Sequence, residues 1–170
     1  DARKLGFGSS FERVVYLESH DEERYLRELD QAGFSTEESV RRDVTALAIT
    51  LTAPGVAMVY AGEEFGESAP KVVGPNPLHW QNLDKNVFRD LHRDFLALTA
   101  LRTRHPALRT EDVVFQTNAV PENAVVYERR APGAGVVVAV NFGRETQAVP
   151  VALASTGSWA NVLETNQPAI

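Results

Sequence analysis

Two apolar runs in this chain break abruptly into polar clusters, and the other elements can be placed around them. Val14-Val15-Tyr16-Leu17 leads into Glu18-Ser19-His20-Asp21-Glu22-Glu23-Arg24, and Val56-Ala57-Met58-Val59-Tyr60 leads into Gly62-Glu63-Glu64-Phe65-Gly66. Short apolar runs without a helical period predict buried strands, over Arg13 to Leu17 and over Val56 to Tyr60. The stretch between them reads as helical. Glu22 to Gln31 suits a short helix closed by Gly33. Ser35 followed by Glu38 is a capping-box pattern, and Val40, Val44, Leu47, Ala48 and Leu51 then recur on one helical face before Pro54-Gly55 stops the helix. Strand, helix and strand in that order predict a βαβ unit with parallel strands and, by default, a right-handed crossover.

The pattern changes downstream. Lys4 to Ser10 is a Gly-rich lead-in loop, and Ser68 to Lys85 is a long Pro-, Gly- and Asn-rich loop carrying Trp80. Long loops with an embedded aromatic are commonly functional. Phe88, Leu91, Phe95, Leu98 and Leu101 predict an amphipathic helix that stops before His105-Pro106. Beyond it, Val113 to Gln116, Ala124 to Arg129, Val136 to Asn141, Gln147 to Leu153 and Trp159 to Leu163 alternate with turn-forming clusters, so they read as strands of a small antiparallel domain. Trp159, in the last of these runs, is expected in that domain's core. The chain therefore divides into an α/β part, residues 1–108, and an all-β part, residues 109–170, with the boundary near Leu108 to Asp112.

Composition narrows the partners. With 17 Lys+Arg against 23 Asp+Glu the 170-residue chain carries a formal charge of −6, and its basic clusters are no more than isolated pairs such as Arg41-Arg42 and Arg129-Arg130. That balance argues against nucleic acid or an anionic membrane as a partner. No stretch reaches the ~20 apolar residues of a membrane span. There is no cysteine, so disulfides and thiolate chemistry are excluded and the redox compartment is undetermined. A soluble protein of bacterial type, cytoplasmic or secreted, is the expectation. The N-terminus, Asp1-Ala2-Arg3-Lys4, has neither an initiator Met nor an apolar leader, and reads as internal to a longer chain.

In α/β sheets and barrels, ligands bind beyond the carboxyl ends of the strands. His20 and Asp21 follow the first strand run, and Glu63 and Glu64 follow the second. In isolation, His20-Asp21 reads as a hydrogen-bonded pair ending a strand, and Glu63-Glu64 as a solvated or Arg-paired turn. Trp80 is equally suited to anchoring its loop or to stacking on a ligand. His79, His92 and His105 share no metal-ligand spacing, and none is assigned to a metal.

Several short signatures, taken together and in order, change that picture. Tyr16-Leu17-Glu18-Ser19-His20-Asp21-Glu22-Glu23-Arg24, Thr52-Ala53-Pro54-Gly55-Val56-Ala57-Met58-Val59-Tyr60-Ala61-Gly62-Glu63-Glu64-Phe65-Gly66, Pro77-Leu78-His79-Trp80 and Arg102-Thr103-Arg104-His105-Pro106-Ala107-Leu108 resemble the C-terminal third of the α-amylase family, glycoside hydrolase family 13. The resemblance runs from about Phe11 to Leu163. It implies a partial (β/α)8 (TIM) barrel, strands seven and eight with their helices, followed by a small antiparallel β-sandwich, domain C.

The same resemblance implies residue roles. Asp21 would be the third carboxylate of the family's site, stabilising the oxocarbenium-like transition state, and His20 would hydrogen-bond a hydroxyl of the same sugar. Arg24 matches a basic position at the substrate site that anchors neighbouring carboxylates. Trp80 is the candidate floor for a glucose ring, while Tyr60 and Glu64, at the end of the eighth strand, are structural neighbours of the site. The partner implied is an α-glucan or maltooligosaccharide. Calcium belongs to the longer family members through ligands upstream, so no cofactor is assigned to this chain.

Departures from the family pattern qualify the activity. Ser19 stands where many members have Asn, and a Ser-His-Asp-Glu string is also seen in glycogen-branching members, which leaves hydrolase and transferase both open. A retaining glycosidase needs a nucleophile and a general acid roughly 5 to 5.5 Å apart. The family draws both from strands four and five, which would precede Asp1. Asp21 and Glu64 are disfavoured as a substitute pair, because an acid of raised pKa needs an apolar pocket. The expectation is therefore of a chain inactive alone, part of an α-1,4-glucan hydrolase, with a branching or transglycosylating member, or a non-catalytic glucan-binding or scaffold fragment, as alternatives. Open strand edges imply pairing with the rest of the barrel or self-association.

Overall fold

The computed structural model describes residues 2–154 and 156–163. Its first half is a βαβ unit. Strand β1 (Val14–Val15) pairs in parallel with β2 (Val56–Ala57) in the register Val14 to Val56 and Val15 to Ala57. Helices α1 (Tyr25–Gln31) and α2 (Thr36–Thr52) lie between them in sequence, and α3 (Asn86–Arg104) follows. The strand ladder is shorter than the apolar runs predicted. At the end of the second run, the Tyr60 N–H donates to Glu63 Oε2 at 3.0 Å, so that backbone group is satisfied by a turn carboxylate and not by a neighbouring strand.

The helices start and stop for local reasons. Glu18 Oε1 accepts the first helical N–H of α1, from Tyr25, at 2.7 Å, placing a carboxylate where an acceptor is needed. At the other end the Gly33 N–H donates to Asp30 O and the Phe34 N–H to Leu29 O, with Gly33 at φ 84°. This is a Schellman closure, which favours glycine at the left-handed position. Ser35 Oγ caps α2 by accepting the Glu38 N–H at 3.2 Å. The carboxylate of Glu38 pairs instead with Arg42 and Arg144, so only half of the expected capping box forms.

Leu26 and Leu29 of α1, Val40, Leu47 and Leu51 of α2, and Phe88, Leu91 and Leu98 of α3 make one apolar core, with Ala57 and Val59 packed against it. The opposite side of the strand pair stays open, with Val14 at 55% and Val56 at 48% exposure.

The second half is one antiparallel sheet, β3 (Val113–Gln116), β4 (Ala124–Ala131) and β5 (Ala134–Asn141), in that spatial order. A two-residue turn, Pro132-Gly133, joins β4 to β5, with Ala131 paired to Ala134 and Gly133 at φ 71°. Pro followed by a residue of positive φ is the chemistry of a type II turn. The predicted sandwich needs a second sheet, and among the described residues this half has one. Gln147 to Leu153 forms no strand. Pro150 lacks a donor, and Ala152 is held by the Gln116 side chain, its O and N each 2.7 to 2.8 Å from the amide. Trp159 to Leu163 is likewise not a strand; Trp159 is half-buried and not in the core, with its ring near Gly135. Residues 164–170 of the expected β domain lie outside the described residues.

Two arginines gather at the C-terminus of α2, and one of them, Arg129, fastens the halves together. Arg129 of β4, 0% exposed, donates to the carbonyl oxygens of Thr52, Thr110 and Asp112. Arg102 of α3 donates to Leu51, Ala53 and Gly55. Guanidiniums suit this position, because the last carbonyls of a helix have no partners of their own and carry its negative dipole end. Tyr127 adds a 2.6 Å hydroxyl contact to Thr52 Oγ1.

Candidate functional site

The turn between β1 and α1 carries His20 and Asp21 outward. Their side chains are 79% and 75% exposed, and His20 Nε2 lies 3.6 Å from Asp21 Oδ2, a neighbouring pair rather than a hydrogen bond. Beneath them the turn is rigidly built. Ser19, 8% exposed, accepts the Asp21 N–H at 3.1 Å and donates its hydroxyl to the Glu22 carboxylate.

Arg24 points the other way. It is 7% exposed, donates to Glu18 Oε2 at 2.9 Å and to Ala61 O at 2.8 Å, and lies 4.0 Å over the Tyr60 ring. One side chain thus ties the turn after β1 to the exit of β2. Both of its terminal nitrogens are engaged inside the protein. Glu64 Oε2 accepts the Gly62 N–H at 2.8 Å and closes the tight Glu63–Phe65 turn.

Trp80, placed by the short 3-10 turn Trp80–Asp84, is 60% exposed, and its indole rests on buried Phe65 with ring centroids 4.6 Å apart. The loop before it is compact. Glu67, 3% exposed, accepts the N–H groups of Ser68, Ala69 and His79 and bonds His79 Nδ1 at 3.0 Å. That closes the neck of an Ω-like loop. Its body reaches the first turn through Lys71, whose Nζ donates to Asp21 O at 2.5 Å and whose N–H donates to Glu23 at 3.0 Å. The loop carrying Trp80 and the turn carrying Asp21 therefore meet.

The sequence reading missed the buried acids below. Glu18, Asp43 and Glu63 are each 1% exposed, so Glu63 is not solvated, and among the described residues it makes no ion pair with an arginine, the other arrangement expected of that turn. Burial pushes Glu63 up to about 8, against help from the Tyr60 N–H and with Glu18 adding repulsion. Burial also raises Asp43 well above the carboxylate range, with Glu18 and Glu63 adding to it, and raises Glu18 despite its bond to Arg24. Glu67 goes the other way: burial raises it, but the His79 and Ala69 N–H groups and the His79 ring outweigh that and hold it low. Spacing offered no signal for these groups, since Asp43 sits inside a helical stripe and Glu67 finds His79 across a loop. Among the described residues no three His, Asp or Glu side chains come together as a metal-ligand group. No helix among them is long and apolar enough to cross a membrane.

No family model matches the chain. An α-amylase of Haloarcula japonica is 28% identical over 161 residues, covering 91% of this chain and 22% of that protein. A cyclomaltodextrin glucanotransferase of Paenibacillus macerans is 32% identical over 157 residues, 88% of this chain and 20% of that protein. The chain is homologous to the α-amylase family. It spans about a fifth of the length of these two relatives. Among solved structures, the pullulanase of Anoxybacillus sp. LM18-11, determined with maltotetraose, superposes with a TM-score of 0.76 at 19% identity over 92% of this chain and 25% of that one. That likeness shows the fold alone, including the βαβ unit that carries Asp21.

Proposed function

We propose that this chain contributes one wall of the active site of a retaining, α-glucan-active enzyme of the α-amylase family. The observation that carries it is the meeting of two surfaces: the exposed His20-Asp21 turn and the Trp80 loop, tied together through Lys71 at the same end of the parallel strand pair. Asp21 is the carboxylate that stabilises the oxocarbenium-like transition state, and its exposure leaves it free to face a sugar ring. His20 hydrogen-bonds a hydroxyl of that sugar. The open indole of Trp80 supports the apolar face of a neighbouring glucose. Arg24 acts as a positioning residue, holding the two turns at a fixed separation through Glu18, Ala61 and Tyr60. The nucleophile and general acid come from the remainder of the barrel, which also supplies the neighbour of the open strand pair.

The glucanotransferase relative, at 32% identity, favours a second reading, in which a sugar hydroxyl and not water accepts the glycosyl group. Both readings use Asp21 identically. The isolated chain is expected to release no reducing ends from maltoheptaose. Supplied with a polypeptide carrying the other barrel strands of a relative, it is expected to gain activity that Asp21→Asn lowers at least about a hundredfold. Hydrolysis by the isolated chain that Asp21→Asn abolishes would overturn the incomplete-site reading.

A further inference from the structure

A groove between the N-terminal half of α2 and the end of β5 shares no residue with the Asp21 turn. Tyr25, Glu38, Arg41, Arg42, Phe142 and Arg144 line a cavity of about 460 Å³ there, a size suited to a small molecule. Its charge opposes that of the chain. Three guanidiniums face one carboxylate in a protein of net charge −6. Glu38 Oε1 is shared between Arg42 Nη2 at 3.0 Å and Arg144 Nε at 3.3 Å, so one negative charge serves two cations. Both of those guanidiniums lie over the Phe34 ring, at 4.2 and 5.4 Å, which fixes where they sit.

Arg41 is left over. Among the described residues its side chain makes no ion pair or hydrogen bond, even with Glu37 one turn earlier, and Arg42 Nε is buried without an acceptor. The groove thus holds the unspent guanidinium of Arg41 and a surplus of about two positive charges. Planar guanidinium forks match phosphate oxygens, and a phosphate monoester carries close to two negative charges near neutral pH. A simple carboxylate would neutralise only half of the surplus. Phe142, 50% exposed, and Tyr25 offer ring surfaces to the carbon part of such a ligand.

We propose that this groove binds a small phosphate monoester, its phosphate held by Arg41 and Arg144 and its carbon skeleton against Phe142 and Tyr25. The test is calorimetric titration near neutral pH and low salt, first with inorganic phosphate and then with glucose 1-phosphate, with glucose as the uncharged control. Saturable phosphate binding is expected to weaken about tenfold or more in Arg41→Gln/Arg144→Gln, whose exposed positions leave the thermal unfolding midpoint unchanged. Glucose 1-phosphate is expected to bind more tightly than phosphate, with Phe142→Ser removing the difference and glucose alone not binding. Absence of saturable binding, or binding indifferent to the double substitution, would overturn the site. Equal affinity for phosphate and its ester would overturn the assignment of the ester.

Discussion

Glu63 is the residue whose chemistry departs furthest from its sequence neighbourhood. Its ordinary value of 4.5 rises to about 8 in the fold, mainly through burial. Between those two values the folded protein holds a proton that the unfolded chain has released. Stability is therefore full below about 4.5 and falls as pH rises towards about 8. Asp43 and Glu18, also raised, add to the same slope. Glu67 has the opposite sign: held low, it stabilises above its ordinary value and loses that contribution as pH falls below it. The unfolding free energy is thus expected to peak at mildly acidic pH. Glu63→Gln is expected to raise it by ~1–3 kcal/mol at the alkaline end and to change it little at the acidic end, as measured by urea unfolding across pH. An unchanged pH slope in the variant would contradict the burial of a neutral acid.

At the scale of elements, the C-terminus of α2 joins the two halves. Each guanidinium nitrogen of Arg129 donates to a backbone carbonyl, so Arg129→Met removes three hydrogen bonds, the one to Thr52 buried, while keeping much of the packing. A loss of about 2–4 kcal/mol is expected in thermal or denaturant unfolding; a loss below about 0.5 kcal/mol would mean that the halves are held by other contacts. The helices were legible in the sequence because their cores and caps are local: the α2 stripe, Gly33 and His105-Pro106 act within a few residues. Strand ends were less so. The apolar run through Leu17 suggested a longer β1, but ladder length depends on which neighbour is present, and Tyr60 donates to a side chain. The last two β runs failed for a related reason, since alternating sequence does not supply a pairing partner. The exposed placement of His20, Asp21 and Trp80 was legible because they interrupt or follow an apolar pattern. Arg24 was legible in place but not in direction, because its partners come from Glu18 and from Ala61 far along the chain.

For the whole molecule, the consequence is an open side. Val14, Tyr16 and Val56 are 55%, 43% and 48% exposed beside a two-stranded ladder, and such edges template association. Sedimentation at increasing concentration is expected to show self-association that Val56→Lys weakens; a strictly monomeric protein at high concentration would contradict this. The Asp21 turn and the loop that carries Trp80, joined through Lys71, are both exposed, so under the proposed function weak glucan binding without cleavage is the behaviour expected of the chain alone. The most direct measurement is an NMR titration of the isotope-labelled protein with maltoheptaose. Saturable shifts are expected to cluster on residues 19–24 and 67–80 and to vanish in Trp80→Ala, with the sugar intact throughout. Shifts confined to β3, β4 and β5, or none at saturating sugar, would contradict the placement of a glucan at Asp21.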